Sequence, residues 1–177
     1  MPSYDPRLSS RRSSAAALRW RHLACLAVGL LAGQAAASAQ SLEVKRYNPS
    51  EWTKGRFTEI VTVTGPGRTI YLAGVGAEDE TAPAGQSAPI RHLGDPYQQC
   101  RYAYDKIKRL LAAHGATMND LVKVVTYVTD VRNLPEAGKC RTEALAGAPQ
   151  PVHTFLNINA LAWPGMMVEV DVIAITK

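Results

Sequence analysis

Cysteine is scarce in this chain, with three in 177 residues and no Cys-x-x-Cys pair. That excludes a disulfide-dense scaffold and the commonest zinc-binding spacing. None of the four histidines stands at ligand spacing from another, so no metal and no other cofactor is expected. No serine lies in a nucleophile-elbow pattern. Gly65-Pro66-Gly67 precedes no helix and reads as a turn, not as a phosphate loop. The apolar run at residues 23–31 is too short to span a bilayer as a helix. There is no internal repeat and no heptad pattern. With 46% hydrophobic and 20% charged residues, disorder throughout is also excluded.

The formal net charge of +5 suggests an anionic partner only until its distribution is examined. Arg7, Arg11, Arg12, Arg19 and Arg21 all fall within residues 1–39, against the single acid Asp5. The remainder carries 15 basic and 14 acidic side chains. A near-neutral body gives no reason to expect nucleic acid.

Residues 1–39 have the organisation of a secretory signal peptide. The arginines form a basic leader, residues 23–31 an apolar stretch, and Ala37-Ser38-Ala39 a small-x-small cleavage pattern before Gln40. An uncut membrane anchor is the competing reading, and the short apolar stretch argues against it. Arg11-Arg12 hints at twin-arginine export, but Ser14 and Ala15 stand where large apolar residues belong. Cys25 lies before most of the apolar run and does not suit a lipoprotein site. The expected location is therefore periplasmic or secreted, with no membrane attachment after cleavage. Cys100 and Cys140 remain in the body, where an oxidising compartment permits a disulfide and burial as free thiols is the alternative.

Residues 40–177 suit one domain. A short edge strand is expected at 42–46. A β-branched strand at 58–63 enters the Gly-Pro-Gly turn and, with 69–72, reads as a hairpin. Residues 76–93, rich in Ala, Gly, Pro and acids, read as a long surface loop. Asp95 and Pro96 open a helix whose apolar stripe is Cys100, Ala103, Tyr104, Ile107, Leu110 and Leu111, and Gly115 stops it. Residues 121–129 form an apolar, central strand. A second helix runs from Leu134-Pro135 to about Ala146-Gly147, weakened by Gly138. Strands at 152–159 and 167–175 close the chain. This order predicts an α+β fold with both helices on one face of a single mixed sheet. Glu169 and Asp171 alternate with valines and point together to one face, where an oligomer could bury them.

Several of these segments, in this order and spacing, resemble the RidA (YjgF) family. They are Thr69-Ile70-Tyr71-Leu72-Ala73-Gly74, Gly94-Asp95 through Gln98 or Gln99 to Ile107 and Leu110-Leu111, and Gly115 with Asp120-Leu121-Val122-Lys123-Val124. Tyr127-Val128-Thr129-Asp130 and the closing Val168-Glu169-Val170-Asp171-Val172 continue the likeness, which covers roughly residues 55–175. The resemblance implies a chorismate-mutase-like two-layer fold, with a mixed six-stranded sheet and two helices on one face. It further implies a homotrimer with small-molecule pockets between subunits, and hydrolysis of reactive imines or enamines to carbonyl compounds and ammonia.

Carried over residue by residue, the family's pattern is altered here. Glu169 and Gly74 are kept. The substrate-gripping arginine of active members falls on His153, a tyrosine on Phe57, a helix asparagine on Gly138, and the serine of Ser-Gly-Gln on Ala73. Glu169 is the candidate base for activating water, since burial lifts a carboxylate's pKa towards working pH. His153 is the candidate proton donor, or a weaker anion-binding group when protonated. Phe57, Ala73, Gly74, Gly138 and Phe155 are the candidate substrate-binding residues, with Val75 making the pocket more apolar than the family norm. Structural alternatives are an interface salt bridge for Glu169 and a hydrogen-bonded interface histidine for His153. Two functions follow: an imine or enamine deaminase, or a non-catalytic trimer that binds a small ligand or partner. A ribonuclease role is disfavoured by the near-neutral charge and the expected export.

Overall fold

Alternation and β-branching build the centre of the molecule. In the computed structural model, which describes residues 40–83 and 88–177, strand β6 (Val168–Thr176) buries Val168, Val170, Val172 and Ala174 completely. The residues between them, Glu169 and Asp171 first, turn to the opposite face and stay half-buried. Strand β4 (Leu121–Val128) lies beside it, buried at six of its eight positions, as expected of a central strand. The leader, its cleavage pattern and Cys25 lie outside the described residues.

Six strands are present among the described residues, with β1 (Glu43–Tyr47), β2 (Ile60–Thr64), β3 (Arg68–Tyr71) and β5 (Val152–Asn157) completing the set. They divide into two sheets. β3, β6, β4 and β5 form a mixed sheet in that order, with β4 and β5 parallel and the other pairs antiparallel. β1 and β2 form a separate antiparallel pair. The expected hairpin between residues 58–63 and 69–72 is therefore corrected. β2 spends its backbone groups on β1, from Tyr47 opposite Ile60 to Glu43 opposite Thr64, and β3 spends its own on β6. The Gly65–Gly67 turn links the two sheets.

Helix α1 (Pro96–Ala113) starts where its chemistry dictates. The Asp95 carboxylate accepts from the Gln98 backbone N–H at 2.9 Å, and Pro96 takes a first-turn position where no N–H is missed. Its apolar stripe packs on the sheet, except Leu110, which is 43% exposed and off the buried face. Helix α2 (Leu134–Ala144) carries β4 into parallel β5 and ends two residues before Ala146, where the sequence suggested. Both helices cover the same sheet face, closing a core of Ile107, Leu111, Val124, Val128, Val170 and their neighbours.

Cys100 and Cys140 form a disulfide with a Cα–Cα distance of 6.2 Å, which joins α1 to α2 across the core. The segment after β3 is less superficial than its composition suggested. Val75 and Ala77 are buried, and Val75 exchanges both backbone hydrogen bonds with Val170 at 2.9 Å. The Lys106 ammonium reaches into this segment and donates to the carbonyls of Gly76 and Glu78 at 3.2 and 3.0 Å.

Candidate functional site

The candidate residues assemble in two places, on opposite faces of the main sheet. The first is a cavity of about 460 Å³ between α2, β5 and the segment before β2. Phe57, Gly138, His153 and Phe155 all line it, together with Trp52, Thr126 and Arg141. β5 pairs His153 with Val124 and Phe155 with Thr126, so both side chains share the helix-covered face. Phe57 arrives because the Thr58 N–H donates to the Pro151 carbonyl at 3.0 Å and its hydroxyl donates to Gln150 O at 2.6 Å. The Phe57 ring stands 6.5 Å from the His153 ring and 6.0 Å from Trp52, edge to face with the latter. A Cβ at Gly138 would meet nothing within 4 Å, so the missing side chain leaves open space in the wall.

His153 sits 3.1 Å from the Thr126 hydroxyl through Nε2. Burial first, and the neighbouring Arg141 charge second, lower its pKa to about 4. The imidazole is thus neutral at neutral pH, which corrects the expectation of a partly charged anion-binding histidine. Positive charge in this cavity comes instead from Arg141 and from Arg56, whose guanidinium lies over the Trp52 ring. Arg141 follows Cys140 on α2, and no motif or spacing marked it.

The second place is the uncovered face. Glu169 lies opposite Tyr127 in the ladder, and Asp171 opposite Val125. Burial raises the Glu169 pKa, with smaller contributions from the negative charges of Glu78 and Asp171. Gly74 is pressed against this carboxylate: a Cβ there would stand 2.2 Å from Oε1. The backbone reaches it through a bulge, because Tyr71 pairs with Ile173 whereas Val75 bridges Val170, leaving one residue extra at Ala73-Gly74. Ala73 itself borders a separate hollow of about 550 Å³ beside Tyr71, Leu110 and His114.

Within one protomer, therefore, Glu169 and Gly74 do not join His153, Phe57, Gly138 and Phe155. Gln99 stands in the stretch that carries the family likeness, with no role assigned to it there. It is fully buried; Nε2 donates to Gly165 O at 2.9 Å and Oε1 accepts from the Met167 N–H at 2.8 Å, which sets the turn into β6 two residues before Glu169.

The fold and this paired arrangement define a small α+β protein of the Rid type. A family model described as Endoribonuclease L-PSP matches residues 31–176, and the chain belongs to that family, whose members are also called Rid or YjgF proteins. Among relatives, the RutC family protein YjgH of Escherichia coli K12 is 33% identical over 81 residues, 45% of this chain and 60% of that protein. The RutC family protein PH0854 of Pyrococcus horikoshii is 27% identical over 81 residues, 46% of this chain and 63% of that protein. The chain thus matches less than two thirds of either relative's length. Among solved structures, the Rid-family protein YyfB of Yersinia pestis superposes with a TM-score of 0.63 at 23% identity, covering 74% of this chain and 97% of its own. Rv2704 of Mycobacterium tuberculosis, of the YjgF/YER057c/UK114 family, gives 0.50 at 25% identity, covering 75% and 98%.

Proposed function

We propose that the chain is an exported homotrimeric Rid-type hydrolase, converting a reactive imine or enamine to a carbonyl compound and ammonia. The observation that carries this reading is the cavity walled by Phe57, Gly138, His153 and Phe155, the positions at which the family likeness implies substrate contact. The uncovered sheet face supports self-association. It bears Tyr71 and Leu156, 75% and 41% exposed, beside Tyr127 and Ile173. Packing that face against a neighbouring copy offers Glu169 of one subunit to the cavity of the next.

In that arrangement Glu169, its pKa lifted by burial, takes a proton from water as the water oxygen bonds to the C=N carbon. Glu169 returns that proton to the nitrogen to give the carbinolamine; the carbinolamine hydroxyl then passes its proton by way of Glu169 to the nitrogen, the C–N bond breaks, and ammonia leaves as the carbonyl forms. Neutral His153, held by Thr126, orients the substrate nitrogen or the water by hydrogen bonding. The separation of Glu169 from His153 within a protomer also favours a second reading, a trimer that binds a ligand without turning it over. The family's description suggests ribonuclease activity, and the near-neutral charge of residues 40–177 weighs against it.

The test is ammonia release from enzymatically generated imines, with and without a carboxylate, by wild type, Glu169→Ala and His153→Ala. Each variant is expected to be nearly inactive alone. Co-refolded in equal amounts they recover about a quarter of wild-type turnover, because one in four junctions pairs an intact Glu169 with an intact His153. Turnover in both single variants removes the proposed chemistry. Inactive wild type across the panel favours the binding reading.

A further inference from the structure

Arg141 stands in the cavity without a counter-ion. A guanidinium carries five N–H donors. Here one nitrogen donates to the Arg56 carbonyl at 2.8 Å and another makes a long contact of 3.4 Å to Gln150 Oε1. Among the described residues no carboxylate lies within ion-pair distance of it. Burial depresses its pKa, and a guanidinium keeps its charge in proteins. Beside it is a second unmet group. The Tyr104 hydroxyl, on a side chain only 3% exposed, has no hydrogen bond of good geometry among the described residues. Its polar neighbours are Arg141 and Thr126, and Thr126 already holds His153.

A half-buried cation lacking an anion calls for a negatively charged oxygen ligand, whereas the Tyr104 side chain borders a separate hollow with Arg101 and Glu143. The rest of the wall is mixed: Phe57, Phe155, Trp52 and Leu134 give it an aromatic and apolar part, beside His153, Thr126, Thr142 and a second arginine, Arg56, whose guanidinium lies over the Trp52 ring. We propose that Arg141 is the anion-reading residue of this cavity, and that the cavity selects a carboxylate attached to a flat, apolar body. The planar guanidinium offers a carboxylate two parallel N–H···O bonds, while the aromatic wall takes the body. The arginine that the family likeness places at position 153 on β5 is in effect exchanged for one on α2 that enters the same space. Gly138, one turn earlier on that helix, leaves the room in which the larger body fits. This inference rests on reading the cavity as the substrate site and names what that site selects.

The experiment is calorimetric titration of the full chain with 3-phenylpropanoate and with its uncharged isostere 3-phenylpropanamide. Wild type is expected to bind the acid at least about tenfold more tightly than the amide. Arg141→Gln removes that preference while amide affinity stays within about twofold, and Arg141→Lys restores part of it. Thermal melts of both variants confirm that the helix is intact, since Arg141 also bonds to Arg56. Equal binding of acid and amide by wild type, no binding of either, or an undiminished preference in folded Arg141→Gln overturns the proposal. Ammonia release measured in parallel separates the two readings. Acid preference without turnover sinks only the hydrolase, and turnover with an unchanged carboxylate preference in Arg141→Gln sinks only the role of Arg141.

Discussion

His153 couples the chemistry of the cavity to the stability of the protein. Its folded pKa of about 4 lies below the ordinary 6.5, because burial and Arg141 both resist the imidazolium. An unfolded chain takes up this proton as pH falls below 6.5, and the folded chain does not until about 4. Stability is therefore full above 6.5 and is lost across that window, by up to about 3 kcal/mol. His153→Gln lacks this loss, so its stability deficit against wild type should shrink by up to about 3 kcal/mol from pH 7 to pH 4. Urea unfolding at stepped pH measures it, and a gap independent of pH would refute the assigned ionisation. At this scale the sequence identified His153, Phe57, Gly138 and Phe155 as companions. It could not identify Arg141, which belongs to no pattern until the helices are folded onto the sheet, and it gave Gln99 a place in the family likeness but no role.

The two helices show how unevenly elements are legible. α1 has a capping Asp95, Pro96 in its first turn and a sustained apolar stripe, so its limits follow from local chemistry. α2 is shorter, carries Gly138 inside and has no side-chain cap, and it ends two residues before Ala146, where its residues suggested. The disulfide from Cys100 to Cys140 compensates by tying α2, with Gly138 and Arg141 on it, to the better-defined helix. Closing a loop with a separation of 40 residues stabilises the fold by about 3 to 4 kcal/mol in the chain-entropy estimate. The Cys100→Ala/Cys140→Ala variant should lose that amount by denaturant unfolding under oxidising conditions, while a reductant should leave the variant unaffected. An unchanged midpoint would show that packing alone holds α2.

For the whole molecule, one face of the main sheet is closed by helices and the other holds Tyr127, Glu169, Asp171 and Ile173 half-buried with Tyr71 and Leu156 exposed. In the proposed trimer that face is the junction. Ile173→Asp places an unpaired charge there without touching the helical core, so sedimentation should show monomers and ammonia release should fall with the trimer. A trimer that survives Ile173→Asp would mean that copies meet elsewhere and that Glu169 is not delivered across the junction.

What the sequence determined by itself was local. The period of two in β6, the capping of α1 and the order of strands and helices are properties of neighbouring residues, and they defined the α+β class and the family likeness. What only the tertiary structure decided was pairing across distance. β2 lies against β1 and not β3, the six strands divide into two sheets, Glu169 and His153 face opposite ways, and Cys100 meets Cys140. Strand partners and sheet faces depend on which backbone groups and which burial win over the whole chain, and no window of neighbouring residues contains that competition.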